Sequence, residues 1–175
     1  MKRILMGAAV LALSSGWAVA DSKMPPYTAE WGPRVGDWEA TFGGTGTSTN
    51  EFDDHNFGLS GSAHYYVTKW LPIGIRQTFV TDFGDNTEDE WGGATRVSVD
   101  LQAPLGRFQP FIGLVGGYQY GESFEDDYIY GPEAGVKFWL NESTFIYGQG
   151  EYLIVGDGDF DEGNALYSFG FGLNF

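Results

Sequence analysis

The chain has no cysteine among its 175 residues, which excludes disulfides, thiolate metal sites, a cysteine nucleophile and the lipidated cysteine of a lipoprotein. Basic residues are scarce, nine Lys and Arg against 24 Asp and Glu, and that balance argues against a nucleic-acid partner. After the N-terminal stretch there is no apolar run of the roughly 20 residues that a membrane-spanning helix needs. Yet 42% of the residues are apolar and 17% are aromatic, too many for a disordered acidic chain. The length suits one domain.

The first twenty residues read as a secretory signal. Lys2 and Arg3 precede an apolar core from Ile4 to Leu13, and Ala18-Val19-Ala20 supplies the small residues for cleavage before Asp21. An N-terminal membrane anchor is the competing reading, disfavoured by the shortness of the core. Removal of residues 1–20 leaves an expected mature chain of 155 residues with a formal charge of −17. Residues 21–35, with Pro25, Pro26 and Pro33, read as a periplasmic tail or a plug-like lead-in, and residues 36–175 as the domain proper.

That domain is written in period two. Phe57, Leu59, Ala63 and Tyr65 alternate with Gly58, Ser60, Ser62, His64 and Tyr66, and similar alternation recurs through Trp38–Phe42, Leu71–Phe79, Arg96–Ala103, Phe108–Gln119, Tyr130–Leu140 and Ala165–Phe175. Such alternation marks strands with one apolar and one polar face. Phe111 and Val115 blur their strand, and the stretch from Ser143 to Val155 is irregular because Phe145 and Tyr147 share a face with Gln149 and Glu151. Eight strands are predicted, most near the 9–11 residues of a tilted membrane-spanning strand.

The connections alternate in length. Long ones around 50–55, 82–93, 121–127 and 156–164 are separated by short ones at 68–70, 105–107 and 141–142, the organisation of outer-membrane barrels. The long connections hold sixteen of the 24 acidic residues and neither Lys nor Arg. Aromatic residues fall near both ends of the apolar faces. Trp38, Tyr65, Trp70, Phe108 and Phe175 lie toward the short turns, and Phe57, Phe79, Trp91, Tyr118, Tyr130 and Tyr167 toward the long connections, where rings with polar tips suit a bilayer interface. The expected fold is an all-β, eight-stranded, antiparallel, up-and-down transmembrane barrel with both termini periplasmic. A soluble secreted barrel of lipocalin type is the competing architecture.

Three stretches carry a resemblance. Tyr167-Ser168-Phe169-Gly170-Phe171-Gly172-Leu173-Asn174-Phe175 resembles the C-terminal signature of bacterial outer-membrane barrels. The hairpin Gly61–Gly74 and the strand Gln109–Tyr118 are similar to corresponding segments of the small OmpA-like and OmpW-like barrel family. His64 stands where that family usually has glycine, and Lys69-Trp70 replaces its usual turn residues. The resemblance spans the mature chain and implies a Gram-negative outer-membrane location. It also implies recognition of Tyr167, Phe169, Phe171, Leu173 and Phe175 by the barrel-assembly machinery. No peptidoglycan-binding domain of the OmpA kind is recognised.

Function is less determined than fold. The inward candidates are Asp37, Glu39, Arg76, Arg96, Asp100, Glu133, Lys137 and Glu151. An eight-stranded barrel is narrow enough to be filled by side chains, so Arg76, Arg96, Asp100, Glu133, Lys137 and Glu151 are expected to pair as a polar lumen network. The inward glycines Gly58, Gly74, Gly113, Gly117, Gly135, Gly170 and Gly172 are expected to leave some free space. Ser62, His64 and Glu151 superficially suggest a Ser-His-acid set like that of outer-membrane lipid-modifying enzymes. Their order and lumen-facing position argue against it, and no enzyme is expected. His55 reads as a solvated loop residue. Asp157, Asp159 and Asp161 have partial calcium-loop spacing, but Glu162 stands where glycine is needed. No cofactor is expected beyond loosely held Ca or Mg at the acidic loops. The leading reading is a monomeric barrel with a structural or interaction role, meeting outer-membrane lipids and lipopolysaccharide through cations. The alternative is a passive conduit for small or hydrophobic solutes.

Overall fold

The structure, a computed structural model, describes residues 31–48, 55–82, 90–122, 126–158 and 163–175. Eight strands run in chain order: β1 (Trp38–Ser48), β2 (His55–Thr68), β3 (Leu71–Asp82), β4 (Glu90–Gln102), β5 (Phe108–Gly121), β6 (Asp127–Trp139), β7 (Thr144–Val155) and β8 (Asn164–Asn174). Each pairs antiparallel with its sequence neighbour. β1 also pairs with β8, from Glu39↔Asn174 to Ser48↔Ala165, so the sheet closes on itself. Closure leaves no sheet edge, the condition under which strands cross a bilayer. The predicted eight-stranded up-and-down barrel is the observed fold.

The strands are 11 to 14 residues long, somewhat more than a hydrocarbon core requires of a tilted strand. Short turns join them at one end. Gly106 takes φ +70° between β4 and β5, a conformation that favours glycine. Asn141 closes the β6–β7 turn by accepting the N–H groups of Ser143 and Thr144 on its Oδ1 at 2.9 and 2.8 Å. The barrel is tied at the same end by reciprocal N–H···O bonds between Trp38 and Phe175, at 2.8 and 2.9 Å.

Alternation sorts the side chains. Ile73, Ile75, Val97, Val99, Leu101, Ile112 and Leu114 stand exposed on the outer wall. Exposed Trp38, Trp70, Phe108 and Phe175 lie toward the short turns, and Trp91, Tyr118, Tyr128 and Tyr130 toward the long connections. An apolar belt bounded by aromatic rings on a closed barrel is a surface made for lipid. A soluble lipocalin-type barrel would invert this pattern, carrying polar side chains outside.

The interior is stratified along the barrel axis. At the short-turn end Trp139, Phe145 and Tyr147 form an apolar cluster, with Trp31 of the lead-in packed against it. The middle holds the charged residues. Toward the long connections Ala94, Val115, Ile129, Leu153 and Leu166 form a second apolar cluster. Phe111 and Val115, ambiguous in the sequence, both point inward, as do Phe145 and Tyr147 of the irregular β7. Asp37, expected to face inward, precedes β1 at the short-turn rim, half-buried, and accepts bonds from the Arg34 N–H at 2.8 Å and from the side-chain amide of buried Asn174 at 2.7 Å.

Candidate functional site

Among the described residues, chemistry-bearing side chains converge in the charged middle layer. Because residues on one strand face inward at every second position, Glu39, His64, Arg76, Arg96, Asp100, Glu133, Lys137 and Glu151 are all buried in the lumen. Isolated charges there would cost several kcal/mol each, of order 5, so pairing decides whether the layer is tolerable.

Lys137 on β6 reaches across the barrel to β1. Its Nζ donates to both oxygens of Glu39, at 2.8 and 2.7 Å, and to the Tyr66 hydroxyl oxygen at 3.0 Å. The Tyr66 hydroxyl in turn donates to Glu39 Oε2 at 2.5 Å. The rings of Phe145, Tyr66 and Phe111 stand 5.3, 5.6 and 5.6 Å from the same ammonium, close enough for cation–π attraction.

A second cluster lies on the other side. Arg76 and Arg96 are direct cross-strand partners on β3 and β4, a like-charge pairing that would be unfavourable alone. Glu151 sits between them. Its Oε1 accepts from Arg76 Nη1 at 2.9 Å and its Oε2 from Arg96 Nη1 at 2.6 Å. Arg76 Nη1 also donates to Glu133 Oε2 at 2.7 Å. Arg96 Nη2 donates to the Thr78 hydroxyl, and Gln149 Nε2 donates to Glu151 at 2.9 Å. Among the described residues, the lumen cations Arg76, Arg96 and Lys137 are therefore each held by at least one carboxylate.

The suggested Ser62, His64 and Glu151 set is not assembled, because Glu151 is committed to the arginines. His64 instead lies 3.3 Å from Ser62 Oγ through Nδ1 and 3.1 Å from Ser98 Oγ through Nε2, with Glu39 at 3.6 Å. That constellation resembles a triad in residue types alone. Ser98 is 1% exposed and Glu39 is fully buried against Lys137.

The expectation of free space above the inward glycines is overturned. A Cβ on Gly74 would strike the His64 ring, on Gly113 the Asp100 carboxyl, on Gly135 the Phe111 ring, on Gly172 the Phe145 ring and on Gly58 the Val80 side chain. Glycine here makes room for a large neighbour on the next strand. Sequence reasoning also missed Tyr66, Gln102, Thr78, Ser98 and Gln149 as network members. Parity alone places them inward; what it lacks is which of them meet.

Of the calcium-loop candidates, Asp157 is exposed at the long-connection rim, whereas Asp159, Asp161 and Glu162 lie outside the described residues. So do residues 1–30, with the expected signal and most of the tail, and the acids of 49–54 and 83–89. His55 begins β2. Tyr167, Phe169, Phe171, Leu173 and Phe175 all project outward from the β8 end of the barrel.

With this geometry fixed, comparison with solved structures finds barrels of the same build, three of which serve as examples. They are the outer membrane protein OprG from Pseudomonas aeruginosa (15% identity, TM-score 0.59, 82% of this chain and 98% of that one), Neisserial surface protein A (13%, 0.59, 79% and 94%) and Ail, the attachment invasion locus protein of Yersinia pestis (10%, 0.54, 81% and 99%). No family model and no curated protein sequence matches the chain. At such identities the likeness is one of fold. The closed sheet, the apolar belt and these likenesses define the class, a small eight-stranded outer-membrane β-barrel.

Proposed function

We propose that this protein is a closed structural barrel of a Gram-negative outer membrane, with its termini and short turns in the periplasm and its acidic connections outside. The observation that carries this reading is the lumen network: Arg76, Arg96 and Lys137 are each bonded to buried carboxylates from strands across the barrel. Aromatic residues at the short-turn end, including Trp31 of the lead-in, add a second layer of filling. The barrel works as a rigid anchor whose exposed connections make the contacts. Because those connections contain neither Lys nor Arg, contact with lipopolysaccharide phosphates goes through bridging Mg or Ca ions. The outward β8 residues from Tyr167 to Phe175 serve assembly into the membrane. The test is conductance: purified protein in planar bilayers is expected to give no steady single-channel current, and a sustained open current overturns the closed-barrel reading.

One observation favours a second reading, entry of small hydrophobic solutes from the side. The β6–β7 register runs through Ile129↔Val155 and Tyr130↔Ile154 and resumes at Glu133↔Glu151, without partners for Gly131 and Pro132. Proline has no N–H to give the ladder. The gap adjoins the apolar interior cluster, and outside it lies a groove of about 850 Å³ lined by Ile112, Leu114, Pro132, Ala134, Tyr152 and Tyr167. Pro132→Thr restores the donor. A fall in uptake of a hydrophobic solute by proteoliposomes supports lateral entry, and unchanged uptake removes it.

A further inference from the structure

The hydrogen-bond accounting of the lumen does not close. Asp100, Gly113 and Glu133 form one cross-strand row on the inner wall of β4, β5 and β6, and Glu151 on β7 is next in it. Gly113 has no side chain, and the Asp100 carboxyl lies over it, where a Cβ would stand. Asp100 and Glu133 thereby stand two strands apart in one inward row, with no side chain between them. Both residues are buried, at 4% and 3% exposure. Asp100 Oδ1 and Glu133 Oε1 have no donor.

Among the described residues no neighbour donates to either oxygen, although Arg96 Nε and Gln109 Nε2 are themselves buried without a partner. From β3, Arg76 is spent on Glu133 Oε2, Glu151 and Gln149. From β4, Arg96 gives its terminal nitrogens to Glu151 and Thr78. From β6, Lys137 is bound by Glu39 and Tyr66. From β2, His64 meets Ser62 and Ser98, and the oxygens of its neighbour Glu39 are already satisfied by Lys137 and Tyr66. From β7, Glu151 brings only further negative charge. Charge tells the same story. Arg76, Arg96 and Lys137 face Glu39, Asp100, Glu133 and Glu151 in the buried layer, one carboxylate too many for a medium where an uncompensated charge is costly.

We infer that Asp100 and Glu133 together bind one proton, held between Asp100 Oδ1 and Glu133 Oε1 as an acid–carboxylate hydrogen bond. A single proton supplies the missing donor, satisfies both orphaned oxygens and makes the lumen layer electrically neutral. The pair is a proton-binding site built into the wall of the barrel, made possible by the missing side chain at Gly113. Acid–carboxylate bonds are short and strong, so this one also ties β4 to β6 across β5.

Infrared spectroscopy of the full chain, folded in detergent or in lipid, tests the site. At neutral pH the wild type is expected to show the C=O stretch of an un-ionised carboxylic acid, shifting in D₂O, and Asp100→Asn is expected to lose it. Asp100→Asn replaces the shared proton with an amide N–H aimed at Glu133, so it should unfold at the wild-type temperature, whereas Asp100→Ala should unfold lower. Absence of the band from the wild type overturns the proposal without recourse to a variant, as does its persistence in Asp100→Asn. Two further outcomes also overturn it. One is an NMR signature of a His64 imidazolium at neutral pH, which places the missing charge on the histidine. The other is stability that rises with sodium but not with choline, which assigns the site to a metal cation.

Discussion

At the residue scale, the interior is a set of pairs in which a glycine and a large side chain on adjacent strands divide one space between them. Gly172 and Phe145 are the clearest case. Gly172→Val is expected to force the Phe145 ring off Trp139, against which it packs tilted with ring centroids 4.9 Å apart, at a cost of about 1–3 kcal/mol; urea unfolding of the protein in detergent measures it. Charge behaves more severely than volume. Lys137→Met leaves Glu39 buried with only Tyr66 as a donor, and is expected to cost about 3–5 kcal/mol. The double variant Lys137→Met with Glu39→Gln should recover most of that loss in the same assay. If the double variant is no more stable than Lys137→Met alone, the ion pair is not the source of the effect. The alternation of the sequence marks Glu39, Tyr66, Lys137 and Gly172 as inward and leaves Phe145 ambiguous. It does not say that Phe145 covers Gly172, since that requires the register of β7 against β8.

At the element scale, each strand serves two solvents, hydrocarbon outside and a polar interior. Leu114 projects outward near the middle of β5 and is 69% exposed on the bare barrel. Leu114→Arg is expected to destabilise the folded barrel in lipid by about 2–4 kcal/mol, read from the denaturant midpoint in phospholipid bilayers. The same substitution at Trp70, in the β2–β3 turn, should cost far less, because a turn at the interface leaves a guanidinium its water. β7 shows why its pattern was hard to read. Its inner face carries Phe145 and Tyr147 at the short-turn end, Gln149 and Glu151 in the middle and Leu153 above. That face crosses three interior layers of different chemistry, so inward position and polarity do not coincide along it. β8 crosses fewer contrasts inside and presents only apolar side chains outside, which is why its alternation is clean.

At the scale of the whole molecule, charge is distributed by end and by depth. The long connections are acidic without a basic residue, the middle layer is balanced by pairing, and Arg34, Lys69 and Arg107 are exposed at the short-turn end, where Arg107 lies 4.1 Å over the Trp31 ring. Crowded like charges at one rim attract divalent cations. In membranes containing lipopolysaccharide, chelation of Mg and Ca is therefore expected to lower the unfolding temperature and speed proteolysis of the connections. Insensitivity of both to chelation removes the cation-bridging role. The sequence by itself determined the strand count, the inner and outer faces, the alternation of short and long connections and the acidity of one end, because each follows from side-chain period or local composition. Only the tertiary structure decided that Lys137 meets Glu39, 98 residues away, that Glu151 stands between two arginines, that Ser62 and His64 have no Glu151, and that Asp100 faces Glu133 over Gly113. Those contacts depend on closure of the sheet in one register, which brings distant inward positions across a narrow lumen, and no local pattern records which of them meet.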